Sequence, residues 1–401
     1  MKFETKIKVA TLASTSFIMV LVNNALFPVF PQMAKALDIN LKSLSLLVAA
    51  VSFPAAVLSP FGGILADRWS KKLTMAISVF IFGFGGLLAG LSKFISDKPF
   101  MIIIIGRLIQ GIGLSTPIYL SMALAGDIFQ SDERHKAVGI LEAANGGGKL
   151  LSPIIGSIVG LIGWYAPFFI YPVVSIPVAL AILFTIKEPK QQPIQWAQQR
   201  EAFSFFKNPS RIITLAASFI TLFVLTGTLF WLSDVLEQRF KNGKVIRGLI
   251  LALPIFGMSF TAMFARFFGK QLGPRLTMGF GSFVMAAGMV SIPYIYNSVI
   301  FWPVLVLIGV GAGMILPSID AISTGVKKRE YRGVLTTCYG SSRSFGSAIA
   351  PYIFAVLMDI GKFKETFFPV SIAIAAIGLV SILFLRDKDL LPESLLPQKS
   401  T

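Results

Sequence analysis

The chain has 401 residues, of which 55% are hydrophobic and only 14% are charged, and its mean hydropathy is +0.76. Soluble globular proteins of this length do not carry so much apolar surface, whereas apolar runs of about 20 residues are long enough to cross a bilayer as helices. Such runs recur along the chain. The sequence therefore predicts an all-α membrane protein with many transmembrane spans.

The formal net charge is +17, from 36 Lys and Arg against 19 Asp and Glu. These basic residues are scattered through short loops, so the charge indicates membrane topology and not nucleic-acid binding. The single cysteine, Cys338, excludes an intramolecular disulfide and a cysteine-based metal cluster. The single histidine, His135, excludes a histidine-pair metal site. We expect neither a metal nor a cofactor.

Six apolar spans are predicted in the first half of the chain, and a polar stretch rich in Gln and Pro follows them. We expect helices at 9–34, 43–66, 73–91, 99–126, 137–161 and 164–186. The second half repeats the count, with helices at 211–236, 245–268, 276–296, 299–325, 333–358 and 366–385. The predicted organisation is an N-terminal six-helix bundle (1–187), a cytoplasmic linker (188–210), a C-terminal six-helix bundle (211–386) and a cytoplasmic tail (387–401).

The distribution of Lys and Arg predicts the orientation. Twelve spans put both termini on one side, and the loops on that side carry the excess of basic residues, which is typical of the cytoplasmic face. The connection between the seventh and eighth spans is an exception, with Arg239, Lys241, Lys244 and Arg247. We expect a monomeric, multi-pass protein of the plasma membrane with both termini in the cytoplasm.

An internal repeat relates the two halves. The motif G-x-G-x-x-x-P begins at Gly111 in the fourth span and again at Gly311 in the tenth. The motif G-x-x-x-(S/A)-P begins at Gly148 in the fifth span and at Gly346 in the eleventh. Two ordered matches in consecutive spans indicate two homologous six-helix halves, a pattern typical of secondary transporters.

The loop after the second span carries a recognisable motif. Its sequence G-x-L-A-D-R-x-x-K-K resembles the loop between the second and third helices of the major facilitator superfamily of secondary transporters, except that Ser70 stands where that family usually has glycine. With twelve spans in two repeated halves, the resemblance covers nearly the whole chain. It implies two pseudo-symmetric bundles, alternating access to a midplane site, and a gating role for the loop residues Gly63, Asp67, Arg68, Lys71 and Lys72.

Two further motifs narrow the resemblance. R-x-x-Q-G-x-G, which starts at Arg107, is similar to the fourth-helix motif of proton-coupled members. G-x-x-x-S-P-x-x-G-S is similar to a degenerate form of the fifth-helix pattern of antiporters, with Ser152 and Ser157 where glycines are usual. The resemblance therefore implies the drug:proton antiporter branch. In the second half, Lys270 stands where the equivalent loop commonly has an acid.

Five charged side chains lie away from the ends of the predicted spans: Arg107, Glu142, Lys149, Asp320 and Arg343. Each costs about 2.5–3.5 kcal/mol at the bilayer centre even on lenient scales, and so indicates function. Glu142 and Lys149 are seven residues apart and share a helix face. Because a carboxylate in a low dielectric has a raised pKa, we predict that Glu142 loads and releases the proton, with Asp320 as the alternative carrier. The resemblance implies a proton-relay or substrate-orienting role for Arg107.

Other interpretations of these residues stay open. Arg107 is alternatively a structural arginine bonded to backbone carbonyls, and Glu142 is alternatively the structural partner of Lys149 or Arg107. Asp127 is expected to be a structural partner of a nearby base, and Glu237, like Asp234, is expected to be interfacial.

Polar and aromatic side chains of several spans are expected to line a substrate cavity. These residues are Asn23, Asn24, Tyr119, Lys149, Trp231, Tyr339 and Arg343. Pro153 and Pro351 remove one backbone hydrogen bond each from their spans and are expected to bend them.

The predicted function is proton-coupled export of small amphipathic or drug-like compounds by alternating access. The alternative is an organic-anion or metabolite carrier, because three intramembrane bases face two well-placed acids. An enzyme is not expected, since Gly146-Gly147-Gly148-Lys149 lacks the first glycine and the final Ser or Thr of a phosphate-binding loop. The expected partners are a small-molecule substrate, protons and the lipid bilayer.

Overall fold

The computed structural model describes residues 3–22, 24–188, 205–239, 243–324, 329–359 and 363–390. Within these ranges the chain is built from α-helices and two short 3-10 turns, with no strand. It divides into two compact units. The first unit contains Met1–Ile194 and Leu232–Ala252, and the second contains Gln195–Trp231 and Leu253–Thr401.

The described residues of the first half form eight α-helices and one 3-10 turn. They are α1 (Phe3–Met19), a 3-10 turn (Phe27–Val29), α2 (Phe30–Leu37), α3 (Leu41–Arg68), α4 (Lys71–Ile95), α5 (Phe100–Leu114), α6 (Pro117–Ile128), α7 (Ser131–Val159) and α8 (Ala166–Thr185). Asn40 caps α3 by accepting a hydrogen bond from the Ser43 N–H, and Ser70 caps α4 by accepting one from the Leu73 N–H. In this unit α4 packs against α5 and α8, and α1 packs against α6, α7 and α8.

The second half follows the same order of long helices. After a 3-10 turn (Phe205–Lys207) come α9 (Pro209–Arg239), α10 (Lys244–Met263), α11 (Ala265–Gln271), α12 (Gly273–Ile295), α13 (Phe301–Thr324), α14 (Arg329–Asp359), α15 (Phe363–Phe384) and α16 (Asp387–Leu390). Helix α12 packs against α13 and α15. Gly273 starts α12 with φ 73°, a left-handed conformation that favours glycine.

Nine helical segments among the described residues are long and apolar enough to cross a membrane. The predicted first, fifth and eleventh spans do not meet that criterion. The first is interrupted, and the fifth and eleventh lie in α7 and α14, which carry charged and polar residues along their length. The prediction of an all-α membrane protein is confirmed.

Two predicted spans are not continuous helices. The first, predicted over 9–34, stops at Met19 and resumes with the 3-10 turn at Phe27, so the described residues 20–22 and 24–26 form a break within the span. The fourth, predicted over 99–126, is divided between α5 and α6. The second interruption has a local cause, because Pro117 has no N–H to donate and begins a new helix.

Glycine contacts correct the register of the internal repeat. Gly111 packs on α3 and Gly113 on α4, whereas Gly311 packs on α12, which is the counterpart of α4. Gly309 and Gly313 both pack on α10, the counterpart of α3. The equivalent pairs are therefore 111 with 309 and 113 with 311, which are 198 residues apart. The sequence match at an offset of 200 residues is therefore wrong by two residues. The same offset of 198 residues also separates Gly148 from Gly346 in the next pair of spans.

Candidate functional site

The break in the first span is surrounded by side-chain donors. Arg107 of α5 is fully buried, and its Nε donates to the Leu47 carbonyl (2.9 Å). Its Nη1 donates to the Val22 carbonyl (3.3 Å) and to Gln110 Oε1 (3.0 Å). The Tyr171 hydroxyl of α8 donates to the same Val22 carbonyl (2.7 Å). This is the geometry of an arginine bonded to backbone carbonyls, and the proton-coupling role of Arg107 stays a prediction.

Helix α7 contacts the break along a row of small residues. Ser152 Oγ donates to the Leu21 carbonyl at 3.0 Å. One turn earlier, Gly148 lies so close that an added Cβ would be 2.8 Å from the Phe17 carbonyl oxygen, and one turn later a Cβ on Gly156 would overlap the Ala25 carbonyl. Side chains larger than serine would push α1 away, so the fifth-span motif fixes the distance between these helices.

A second face of α7 is open. Glu142 is exposed and Lys149 is partly exposed. Cβ atoms added to Gly139, Gly146 or Gly147 would meet nothing within 4 Å in the described part of the chain. A lipid-facing stripe would carry large apolar side chains, so an open face of glycines beside an acid and a base suits a water-filled cavity.

The second unit holds an ion pair between two of the predicted residues. Arg343 Nη2 on α14 lies 2.7 Å from Asp320 Oδ1 on α13 and donates to the Leu316 carbonyl (3.3 Å). Arg343 Nε donates to Ser218 Oγ on α9 (3.3 Å). The Asp320 side chain is 55% exposed and that of Arg343 is 23% exposed, so the pair borders an accessible space.

The other predicted cavity residues have different surroundings. Asn24 and Tyr119 are partly exposed, and Asn23 lies outside the described residues. Trp231 is 1% exposed and packs edge-on against Phe367 with ring centroids 4.8 Å apart. Tyr339 is equally buried in the core of the second unit. Their contact with substrate stays a prediction.

The predicted bending prolines are both buried inside helices that continue through them. Pro153 lies within α7 and Pro351 within α14. Neither helix is interrupted at its proline, and bending at these positions stays a prediction.

The predicted gating loop is anchored by acids that lie elsewhere in the first unit. Lys71 Nζ lies 2.7 Å from Asp127 Oδ2, so the expectation that Asp127 partners a nearby base is confirmed. The Glu188 carboxylate, three residues beyond α8, accepts hydrogen bonds from Ser70 Oγ (2.5 Å), the Lys71 N–H (2.9 Å) and the Lys72 N–H (3.1 Å). Glu188 thus holds the N-terminus of α4, where a negative charge also complements the helix dipole.

The remaining residues of the loop are less enclosed. Arg68 is exposed and Gly63 is partly exposed, while the Asp67 side chain lies outside what the structure describes. The predicted gating role of Asp67 is therefore untested.

The second unit repeats the acid anchor. Asp387, three residues beyond α15, accepts a hydrogen bond from the Arg275 N–H at the start of α12 (2.9 Å). Burial raises the pKa of Asp387, while the hydrogen bond and the charge of Arg275 oppose that shift. The sequence analysis did not identify Glu188 or Asp387, although each is the first acidic residue after the sixth span of its half.

The end of α9 and the start of α10 belong to the first unit. Glu237 pairs with Arg247, whose side chain is 2% exposed, and with Lys35 Nζ at 2.8 Å. Ser233 Oγ donates to the Phe27 carbonyl beside the 3-10 turn, and Gly248 packs against the Pro153 carbonyl. Glu237 therefore lies near the end of its span and pairs with two bases, of which Arg247 is buried.

Comparisons with known proteins agree with this architecture. The family model of the Major Facilitator Superfamily matches residues 12–246 and 244–400. A bacillibactin exporter of Bacillus subtilis is 29% identical over 391 residues, which cover 94% of this chain and 96% of the relative. The quinolone resistance protein NorA of Staphylococcus aureus is 25% identical over 369 residues, 88% of this chain and 91% of the relative.

Solved structures show the same fold at low sequence identity. A bacterial homologue of the human lysosomal transporter Spinster, inward-facing and occupied, matches with a TM-score of 0.77 and 13% identity over 98% of this chain and all of that chain. The human organic anion transporter MFSD10 matches with a TM-score of 0.73 and 16% identity over 95% of this chain and all of that chain. The two matches of the family model span nearly the whole sequence, and the chain belongs to the Major Facilitator Superfamily of membrane transporters.

Proposed function

We propose that this protein exports small amphipathic or drug-like compounds in exchange for protons across the plasma membrane, as a monomer with both termini in the cytoplasm. Residues 188–210 then link the two halves on the cytoplasmic side. The observation that carries the proposal is the ion pair of Asp320 with Arg343, an accessible acid and base inside the membrane-spanning region. Two relatives whose names denote an exporter and a drug-resistance protein support the direction of transport.

The pair supplies a means of coupling. While Asp320 is ionised, it attracts Arg343 across the 2.7 Å contact between α13 and α14. Protonation of Asp320 removes that attraction and leaves the guanidinium with the Leu316 carbonyl and Ser218 as its acceptors. A change of protonation at one atom is therefore linked to the contact between two helices of the second unit.

Glu142 is the second candidate proton carrier. It is exposed on the open glycine face of α7, where a cationic substrate and a proton would compete for the same carboxylate. This competition is what exchange of a proton for a lipophilic cation requires.

The organic-anion or metabolite carrier remains the alternative, and two observations count against it. The guanidinium of Arg107 is enclosed by two carbonyls and Gln110, so an anion would have to displace those acceptors. Arg343 already pairs with a carboxylate. Of the three bases that suggested anion transport, Lys149 is the one with a partly exposed side chain on an open face.

The test uses proteoliposomes with a lumenal pH dye, to which lipophilic cations or organic anions are added. We expect cations to evoke proton movement that is lost in Glu142→Gln or Asp320→Asn. Asp97→Asn is the matched control, because Asp97 is an exposed acid in the connection between α4 and α5. A response to organic anions alone would favour the alternative. Substrate transport without proton movement would refute the coupling.

A further inference from the structure

Three helices of the first unit send hydrogen-bond donors to the break in the first span. We infer that Ser152 and Tyr171 are positioning residues: their hydroxyls, together with the Arg107 guanidinium, hold the carbonyls of Leu21 and Val22 in a fixed non-helical conformation that sets the position of Asn24. The link to substrate rests on the proposed cavity role of Asn24. The positioning itself does not depend on that role.

Non-helical backbone inside a bilayer needs partners, because each unsatisfied N–H or C=O costs several kcal/mol there. The Leu21 carbonyl accepts from Ser152 Oγ and from the Ala25 N–H. The Val22 carbonyl accepts from Tyr171 and from Arg107. A carbonyl oxygen has two lone pairs, so both oxygens are saturated by donors of the protein itself.

This saturation limits what the break can bind. Carbonyls freed by broken helices coordinate cations in some transporters, but here their lone pairs are already occupied. The break therefore does not suit a metal cation that would use Leu21 and Val22 as ligands. It instead offers the neutral amide of Asn24, which suits a substrate with a hydrogen-bonding polar group.

The second half provides an internal comparison. Its seventh span, α9, is an unbroken helix of 31 residues. At the offset of 198 residues, Leu305 occupies the position of Arg107 and Ala350 that of Ser152, so neither supplies a side-chain donor. The position of Gly156 is taken by Phe354, whose ring lies against Gly227 of α9. These donors occur in the half in which the helix is broken and are replaced by apolar residues in the half in which it is continuous.

The test measures the position of the break directly. A cysteine is introduced at Asn24 in a Cys338→Ser background, and its rate of labelling by a membrane-impermeant maleimide is measured with and without Tyr171→Phe or Ser152→Ala. Each change removes one oxygen, and the Phe ring keeps the edge-on contact with Phe82 at 5.4 Å. We expect the labelling rate to change at least threefold, and the Kd of a lipophilic cation in the variants with native Asn24 to rise about fivefold.

The matched control is Ser282→Ala, because Ser282 is also fully buried but its hydroxyl donates to the Met278 carbonyl of its own helix. It should change neither quantity. If Tyr171→Phe and Ser152→Ala lower thermal stability but leave labelling and Kd as in Ser282→Ala, the positioning role is refuted. Tyr171→Phe still decides the question if Ser152→Ala fails to fold. Labelling needs no proton gradient, so the inference can fail or succeed independently of the proposed proton coupling.

Discussion

Replacing Glu188 should loosen the start of α4. Its carboxylate accepts one hydroxyl and two backbone N–H groups at the N-terminus of that helix, all within 3.1 Å. Glu188→Ala removes all three bonds, whereas Glu188→Gln keeps an acceptor oxygen but loses the charge. The two variants therefore separate the contribution of the hydrogen bonds from that of the charge.

The size of the effect follows from these contacts. A hydrogen bond to a charged group contributes about 1.5–3 kcal/mol, and a lost helix cap costs about 1 kcal/mol. Since Glu188 is partly exposed, we discount the three bonds together to about 2 kcal/mol for Glu188→Ala and about 1 kcal/mol for Glu188→Gln. At 1.36 kcal/mol per factor of ten, local opening should increase about 30-fold and about 5-fold.

Hydrogen exchange in nanodiscs measures this opening. Faster exchange is expected at residues 71–74, whose N–H groups lie in the first turn of α4, with no change at the start of α12. The control is Asp387→Asn in the second unit. Because the pKa of Asp387 is raised, its stabilising contribution is present below its ordinary value of 3.8 and is lost as pH rises through the raised pKa. Ionisation of Asp387 is thus less favourable in the folded protein than in the unfolded chain, so Asp387→Asn, which removes the charge near neutral pH, should change exchange at the start of α12 by less than threefold.

Two outcomes would refute this reasoning about Glu188. Unchanged exchange at residues 71–74 in Glu188→Ala would mean that the carboxylate does not hold the loop. Equal acceleration throughout the chain would mean that the variant destabilises the whole protein instead of one helix end.

Two further predictions concern stability, measured as thermal unfolding in detergent. Glu237→Ala should destabilise the protein by about 2–3 kcal/mol, because it leaves the buried Arg247 without its carboxylate partner. Lys35→Ala should cost no more than about 1 kcal/mol, because the Lys35 side chain is 73% exposed. Similar losses in both variants would contradict the view that the pair of Glu237 with Arg247 is the stabilising one. Gly156→Ala should destabilise the protein by about 1–3 kcal/mol, because the added Cβ would overlap the Ala25 carbonyl. Gly147→Ala, in open space, should instead stabilise α7 by about 0.5–1 kcal/mol. The reverse order would show that α7 is not in close contact with the break in the first span.

The sequence was sufficient for those features that depend on long apolar runs, whereas glycine spacing alone placed the repeat of the fourth and tenth spans two residues out of register. Apolar runs predicted the nine spans found among the described residues, and the cap that Ser70 provides for α4 explains why a serine is accommodated where the resembling loops usually have glycine. The break after Met19 was not predictable in the same way. Residues 20–26 are apolar and amide residues that fit a helix, and the donors that stabilise the break come from positions 107, 152 and 171, which are far away in the chain. Distant donors leave no local pattern.

The comparison of the two halves explains why their candidate residues should act differently. In the first unit Arg107 donates to the Val22 carbonyl of the break and to the Leu47 carbonyl of α3, so its loss should alter the shape of the break. In the second unit Arg343 pairs with Asp320 beside an unbroken helix, and in the proposed coupling its bonding changes when Asp320 binds a proton. The two arginines look similar in the sequence, but Arg107 is fully buried and the Arg343 side chain is 23% exposed. We therefore expect separable roles, in which Arg107 holds a backbone conformation and Arg343 responds to protonation of Asp320. Arg343→Gln should shift the pH dependence of substrate binding, whereas Arg107→Gln should reduce binding at every pH.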